Sequence, residues 1–169
     1  MSDLNHFADT TTGVVFIHAA PTALCPHVEW ALASTLDANS AMRWEDQPAQ
    51  PGARKAIVDW IGTVGTGARL ADSLAKWSML AFEVTEDPSE LVDGERFSHT
   101  PELGMWRGQT GATGDGVIGE TRLRLHRAAG PAAFHTAVEA ELGTPWDLAL
   151  EPLRGHPAAA EVTWLSRVG

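Results

Sequence analysis

The stretch GTVGTGARLADSL, residues 62–74, is the part of the chain best suited to hold an anion. Glycines lead into an amphipathic run, with Thr66 placed to cap a helix and Gly67 leaving its backbone open. A helix start offers free N–H groups and about half a positive charge. Arg69, in the first turn, opposes that dipole and costs roughly 0.3–1 kcal/mol unless something negative lies close. Two readings follow. Thr66, Gly67 and Arg69 bind a small anion, or a carboxylate of the chain itself, such as Asp59 or Glu86, takes the place. The order G-x-x-G-x-G is not the dinucleotide fingerprint, and no Lys-Ser/Thr follows as in a P-loop.

Histidine supplies the other candidate chemistry. His99 lies beside Ser98 and Thr100 in RFSHTPELG (96–104) and is the candidate acid–base group. His18, His27 and His99 could also meet in space as metal ligands, or each could be a satisfied structural residue. Trp30 falls off the apolar stripe of its expected helix and is a candidate pocket wall, whereas the other six tryptophans read as core. Arg122, Arg124 and His126 alternate along an expected strand, with Arg107 opposite. They form either a surface for an anionic partner or a solvated face paired with carboxylates. The acidic run Glu83, Glu86, Asp87, Glu90, Asp93 and Glu95 fits no metal-binding loop and reads as a solvated face, so no metal site is expected. There is no G-x-S-x-G and no H-E-x-x-H, so no catalytic residue and no cofactor is assigned.

The elements that must position these residues follow from periodicity. Residues 13–20, GVVFIHAA, read as a buried strand and 25–37 as a helix with Val28, Ala31, Leu32 and Leu36 in one stripe. Met42 and Trp44 share one face of a short alternating run, 41–46. A strand is expected at 54–62, a helix from Thr66 to Trp77, and a strand at 79–87 with Leu80, Phe82 and Val84 inward and Glu83 and Thr85 outward. ERFSHT and LGMWRGQT read as one bent edge strand broken by Pro101. A turn at 111–116 leads to a strand at 117–127, a helix from Pro131 to Leu142, a short helix from Thr144 and a closing strand at 160–167. The fold expected is α+β: a mainly antiparallel sheet with helices on one face, a ferredoxin-like βαββαβ start extended by a hairpin, a helix and a closing strand. Residues 1–12 read as a loose segment and 13–169 as a single domain.

The totals narrow the function. The chain has 169 residues, 44% of them apolar, enough for one cored domain. Its formal charge of −10 argues against nucleic acid and anionic membranes as partners. Cys25, the sole cysteine, allows no internal disulfide. The first basic residue is Arg43 and no apolar run could span a bilayer, so a cytoplasmic protein is expected.

The strings TTGVVFIHAAP, CPHVEWALAST, VGTGARLA, FEVTEDP, RFSHTPELG and EVTWLSR together resemble a family of uncharacterised actinobacterial proteins, a domain of unknown function, over nearly the whole chain. The resemblance implies a single intracellular domain and carries no catalytic residue across. The function expected is a non-enzymatic ligand-binding or regulatory module for a small anionic molecule. The alternatives are an enzyme acting on an anionic metabolite with a His acid–base, or a protein-interaction module. Neither oligomeric state nor ligand identity is fixed by the sequence.

Overall fold

The computed structural model of the chain describes residues 10–38 and 42–155. Strand β1 (Thr10–Pro21) takes in three residues of the segment read as loose. It is followed by α1 (Cys25–Leu36), β2 (Glu45–Asp46), β3 (Ala53–Thr63), α2 (Thr66–Leu74), β4 (Ala81–Glu86), β5 (Gly94–Thr100), β6 (Gly104–Thr110), β7 (Gly116–Val117), α3 (Glu120–Ala128), α4 (Pro131–Leu142) and α5 (Thr144–Arg154). The fold is α+β. One seven-stranded sheet has the order β2-β3-β1-β4-β5-β6-β7, and every pairing in it is antiparallel.

Strand alternation divides the sheet into two faces. On the first, Val15 lies opposite Val58 and Val84, Ile17 opposite Phe82, and Val84 opposite Phe97. Val28 and Leu32 of α1 and Leu70, Ala71 and Leu74 of α2 close over them in the main core. The alternate residues, among them Phe16, Ile57, Glu83 and Ser98, face the other side. There α5 lies across the sheet, with Leu150 packed on Ala19, Ala53 and Ala81. Trp106 of β6 donates from its indole N–H to Ala140 of α4 on this same side. The expectation of helices on one face therefore describes α1 and α2 only. The second face carries apolar and charged groups that need a cover of their own, and α4 and α5 supply part of it.

Two elements differ from the sequence reading. Of the expected strand 117–127 only Val117 pairs with the sheet, together with Gly116 of the expected turn, and Glu120–Ala128 is helical. Helical spacing accounts for its charges: Arg122 and His126, four apart, both reach Glu141 of α4, and Glu120 pairs with Arg124. No residue of α3 is buried, so its alternating leucines meet no sheet. The segment around Pro101 is a tight hairpin of two strands, with Thr100 opposite Gly104 and Gly104 at φ +72° closing the turn. The expected closing strand, 160–167, lies outside the described residues.

Candidate functional site

The start of α2 holds an anion, and the anion belongs to the chain. Gly65, at φ +91°, caps the helix, and Thr66 is its first helical residue rather than its cap. The Gly65 N–H donates to Glu86 Oε1 at 2.8 Å and the Gly67 N–H to Glu86 Oε2 at 2.7 Å. Glu86, buried at the end of β4, thus occupies the donors that an outside anion would need. A Cβ on Gly67 would stand 2.9 Å from that carboxylate, so glycine lets it approach. Arg69 points to solvent, donating to Thr66 Oγ1 at 2.7 Å and more weakly to Thr63 Oγ1 at 3.4 Å. We expect Glu86→Ala to lower stability by about 1–3 kcal/mol, the cost of leaving buried donors unmet, and Arg69→Ala to change it by less than ~0.5 kcal/mol. Urea unfolding checks both, and equal losses in the two variants would contradict this assignment.

The remaining sequence candidates are dispersed. His99 is buried on the first face. Its Nδ1 lies 2.7 Å from the Leu80 carbonyl, which can only accept, so that nitrogen carries the proton. Its ring stacks on Phe82 at 5.1 Å between centroids. His18 faces the opposite side and His27 sits against Trp77, so the three histidines do not converge. Trp30 is 70% exposed on the outside of α1. Arg107 on β6 pairs with Glu95, Arg122 on α3 with Glu141 at 2.7 Å, and Arg124 with Glu120. No common stripe forms, because two of the three arginines are on a helix and the third is on a strand. Among the described residues, no group of three or more His, Cys, Asp and Glu side chains is placed to hold a metal ion.

The second face holds what the sequence reading missed. Glu83, read as outward and solvated, is buried beneath the end of α5. Its Oε2 accepts from His18 Nε2 at 2.7 Å and Arg154 Nε at 3.1 Å, and its Oε1 from Arg154 Nη2 at 2.6 Å. Burial alone would raise the Glu83 pKa, but the hydrogen bonds and charges of His18 and Arg154 outweigh it and hold the group at about 2. A carboxylate accepts only, so His18 Nε2 carries a proton. Arg154 also reaches Asp147 at 2.8 Å and Glu151 at 3.3 Å. Its own pKa is raised: burial works against the charged form, and the carboxylate partners overcome that. Gln47, buried, donates to the carbonyls of His18 and Leu153 and so ties α5 to β1.

Beside this network opens a cavity of about 480 Å³. Phe16, Ile57 and Leu153 give it apolar walls, and Lys55 and Arg43 stand at its edge with Glu45. Arg154 is committed to three carboxylates and Arg43 lies 4.0 Å from Glu45. Lys55 has no ion pair among the described residues, although Glu45 lies opposite it in the ladder. The signal for this wall was present in AIVDWI (56–61), where Ile57 and Ile61 alternate against the core residues Val58 and Trp60.

Residues 14–167 match the family described as "Protein of unknown function (DUF3145)". The chain belongs to that family. No curated protein and no solved structure matches it. No helix among the described residues is long and apolar enough to cross a membrane.

Proposed function

We propose that this DUF3145 chain binds a small molecule with an apolar body and a negatively charged group, in the cavity between α5 and strands β1, β2 and β3. The observation that carries the reading is Lys55, a cation without an ion pair among the described residues, at the rim of a cavity walled by Phe16, Ile57 and Leu153. Apolar walls with a few placed polar groups are the usual make-up of a small-molecule site. The anion site thereby moves from the start of α2, where Glu86 fills the donors, to the opposite face of the sheet. Anilinonaphthalene sulfonate, an aromatic anion, is a suitable probe. Its fluorescence should rise saturably with the wild-type chain. Lys55→Glu should weaken binding by about tenfold, which corresponds to ~1.4 kcal/mol, and Arg124→Glu should leave it unchanged. Equal affinity in Lys55→Glu and wild type would remove the proposal.

One observation favours the enzyme reading as a second choice. His18, held at Nε2 by Glu83, lines the cavity, and a carboxylate fixing an imidazole is a common arrangement of an acid–base histidine. His99, by contrast, does not line it. Turnover of a bound anion that His18→Gln abolishes while binding persists would favour an enzyme over a binding module.

A further inference from the structure

Strand β3 is paired along its outer edge for only part of its length. Strand β2 reaches it with Glu45 opposite Lys55 and Asp46 opposite Arg54. Beyond them, residues 56–63 have β1 on one side and, among the described residues, no strand on the other. Such an edge turns unpaired N–H and C=O groups outward and is a template for another strand. Charge is the usual means of blunting it, and the single charged residue of this stretch is Asp59. Asp59 is exposed and has no ion pair among the described residues. On the same face of the strand, Ile61 is 72% exposed. A cation in the same condition stands past the end of the strand. Arg69 is exposed and meets the hydroxyls of Thr63 and Thr66, with no carboxylate partner among the described residues. Its place in the first turn of α2 disfavours an unbalanced positive charge.

The geometry points to a second copy of this chain as the occupant of that edge. Two copies join β3 to β3, antiparallel, about a two-fold axis at Ile61, and Asp59 of each pairs with Arg69 of the other. Residues directly opposite in an antiparallel pair lie on the same face of the sheet. Trp60 is buried towards the core, whereas Asp59, Ile61 and Thr63 are exposed on the other face. A symmetric pairing therefore has its axis at a residue, and charge decides which one. An axis at Asp59 sets the carboxylate against its own copy, which is repulsive. An axis at Trp60 sets it against Ile61, and one at Gly62 carries it beyond the end of the strand. With the axis at Ile61, Asp59 lies opposite Thr63, whose hydroxyl is 3.4 Å from Arg69 Nη2.

Opposed side chains in a ladder have Cβ atoms about 4.5–5.5 Å apart, so the carboxylate arrives beside the guanidinium. Symmetry makes the contact twice. Ile61 then meets Ile61 of the second copy, and the exposed isoleucine gains an apolar neighbour. A contact confined to one strand edge falls at the small end of protein interfaces, so the dilute chain is a monomer and the dimer forms at high concentration. The inference goes beyond the ligand reading and does not rest on it. Asp59, Ile61 and Arg69 do not line the cavity, and Lys55 takes no part in the pairing.

Sedimentation of the full chain over a concentration series tests the pairing. The wild type should show a monomer–dimer equilibrium. Asp59→Arg and Arg69→Asp should each weaken it by about tenfold or more, because each variant sets like charges together at both contacts. An equal mixture of the two variants should associate within about threefold of the wild type, since both contacts then join opposite charges. Misfolding of either variant, or a dimer through another surface, would not produce that rescue. A wild type that stays monomeric throughout would overturn the inference, the edge then being covered by the chain itself or by water. So would a dimer that neither variant weakens, or a mixture that associates no better than its components. The register has its own readout. Cys25 is buried, so Ile61→Cys supplies an exposed thiol opposite itself. Mild oxidation should link that variant into dimers about tenfold faster than Thr63→Cys, whose thiol faces Asp59. Equal rates would reject the axis at Ile61. The dye titration with Lys55→Glu reads the cavity alone, so the two ideas fail separately.

Discussion

Arg154→Met should lower folding stability by on the order of 3–5 kcal/mol. The variant removes the guanidinium fork that grips both Glu83 oxygens and leaves a buried carboxylate with only His18 and a long hydrogen bond from Ser98, at 3.4 Å, as partners. Glu83 and Arg154 are 71 residues apart in sequence, so the pair fastens the end of α5 to the middle of β4. The size of the effect is also written in the Glu83 pKa. The folded value, about 2, is below the ordinary 4.5, so the folded state favours the ionised form. That contribution is about 3 kcal/mol at neutral pH, since each tenfold change in an ionisation constant is worth ~1.4 kcal/mol. It is fully present above pH 4.5 and is lost as pH falls from there towards 2. Urea midpoints measured across this interval should fall steeply in the wild type and less steeply in Glu83→Gln. The double variant Glu83→Gln, Arg154→Met should be more stable than Arg154→Met, because no buried charge is then left unpaired. A loss under ~1 kcal/mol in Arg154→Met would show that the pair merely decorates α5.

Gly13→Ala should prevent stable folding or cost more than ~3 kcal/mol. Gly13 sits in β1 between Trp60 of β3 and Glu86 of β4. A Cβ there would fall 1.9 Å from the Thr85 carbonyl oxygen and 2.5 Å from Trp60 Cζ2. A side chain could turn aside, but the carbonyl is part of β4, and moving it separates the two central strands. Trp60→Leu in the same chain should therefore restore little of the loss. The comparison is a calorimetric melt of wild type, single and double variants. A melting temperature in Gly13→Ala within a degree or two of wild type would contradict the packing described.

The elements that fill the main core were legible in the sequence. Val15 and Ile17, Val58 and Trp60, and Phe82 and Val84 alternate, and the α1 and α2 stripes follow helical spacing, because each pattern is imposed by one buried face. Helix α3 was not legible. Its leucines alternate with charges by chance of spacing, and with nothing buried, no core dictates its period. The hairpin at Pro101 was missed for a local reason: proline there marks a turn between two strands, not a break within one. The site was legible only in part. Alternation placed Glu83 correctly away from α1 and α2, but which helix returns to cover the opposite face is a long-range matter. The partner of Arg69's helix was open between Asp59 and Glu86 for the same reason. Nothing near residue 83 in the sequence foretells Arg154.

The position of β1 has a consequence for the newly made chain. Among the described strands it comes earliest in the chain, yet it is interior to the sheet, pairing with β3 on one side and β4 on the other. At ~5–20 residues per second, roughly 3–13 s separate completion of Pro21 from completion of Glu86. During that interval Val15 and Ile17, enclosed in the finished fold, lack their β4 partners Val84 and Phe82. The enclosure of β1 is therefore completed by β4 and not by β3, although β3 follows it sooner in the chain.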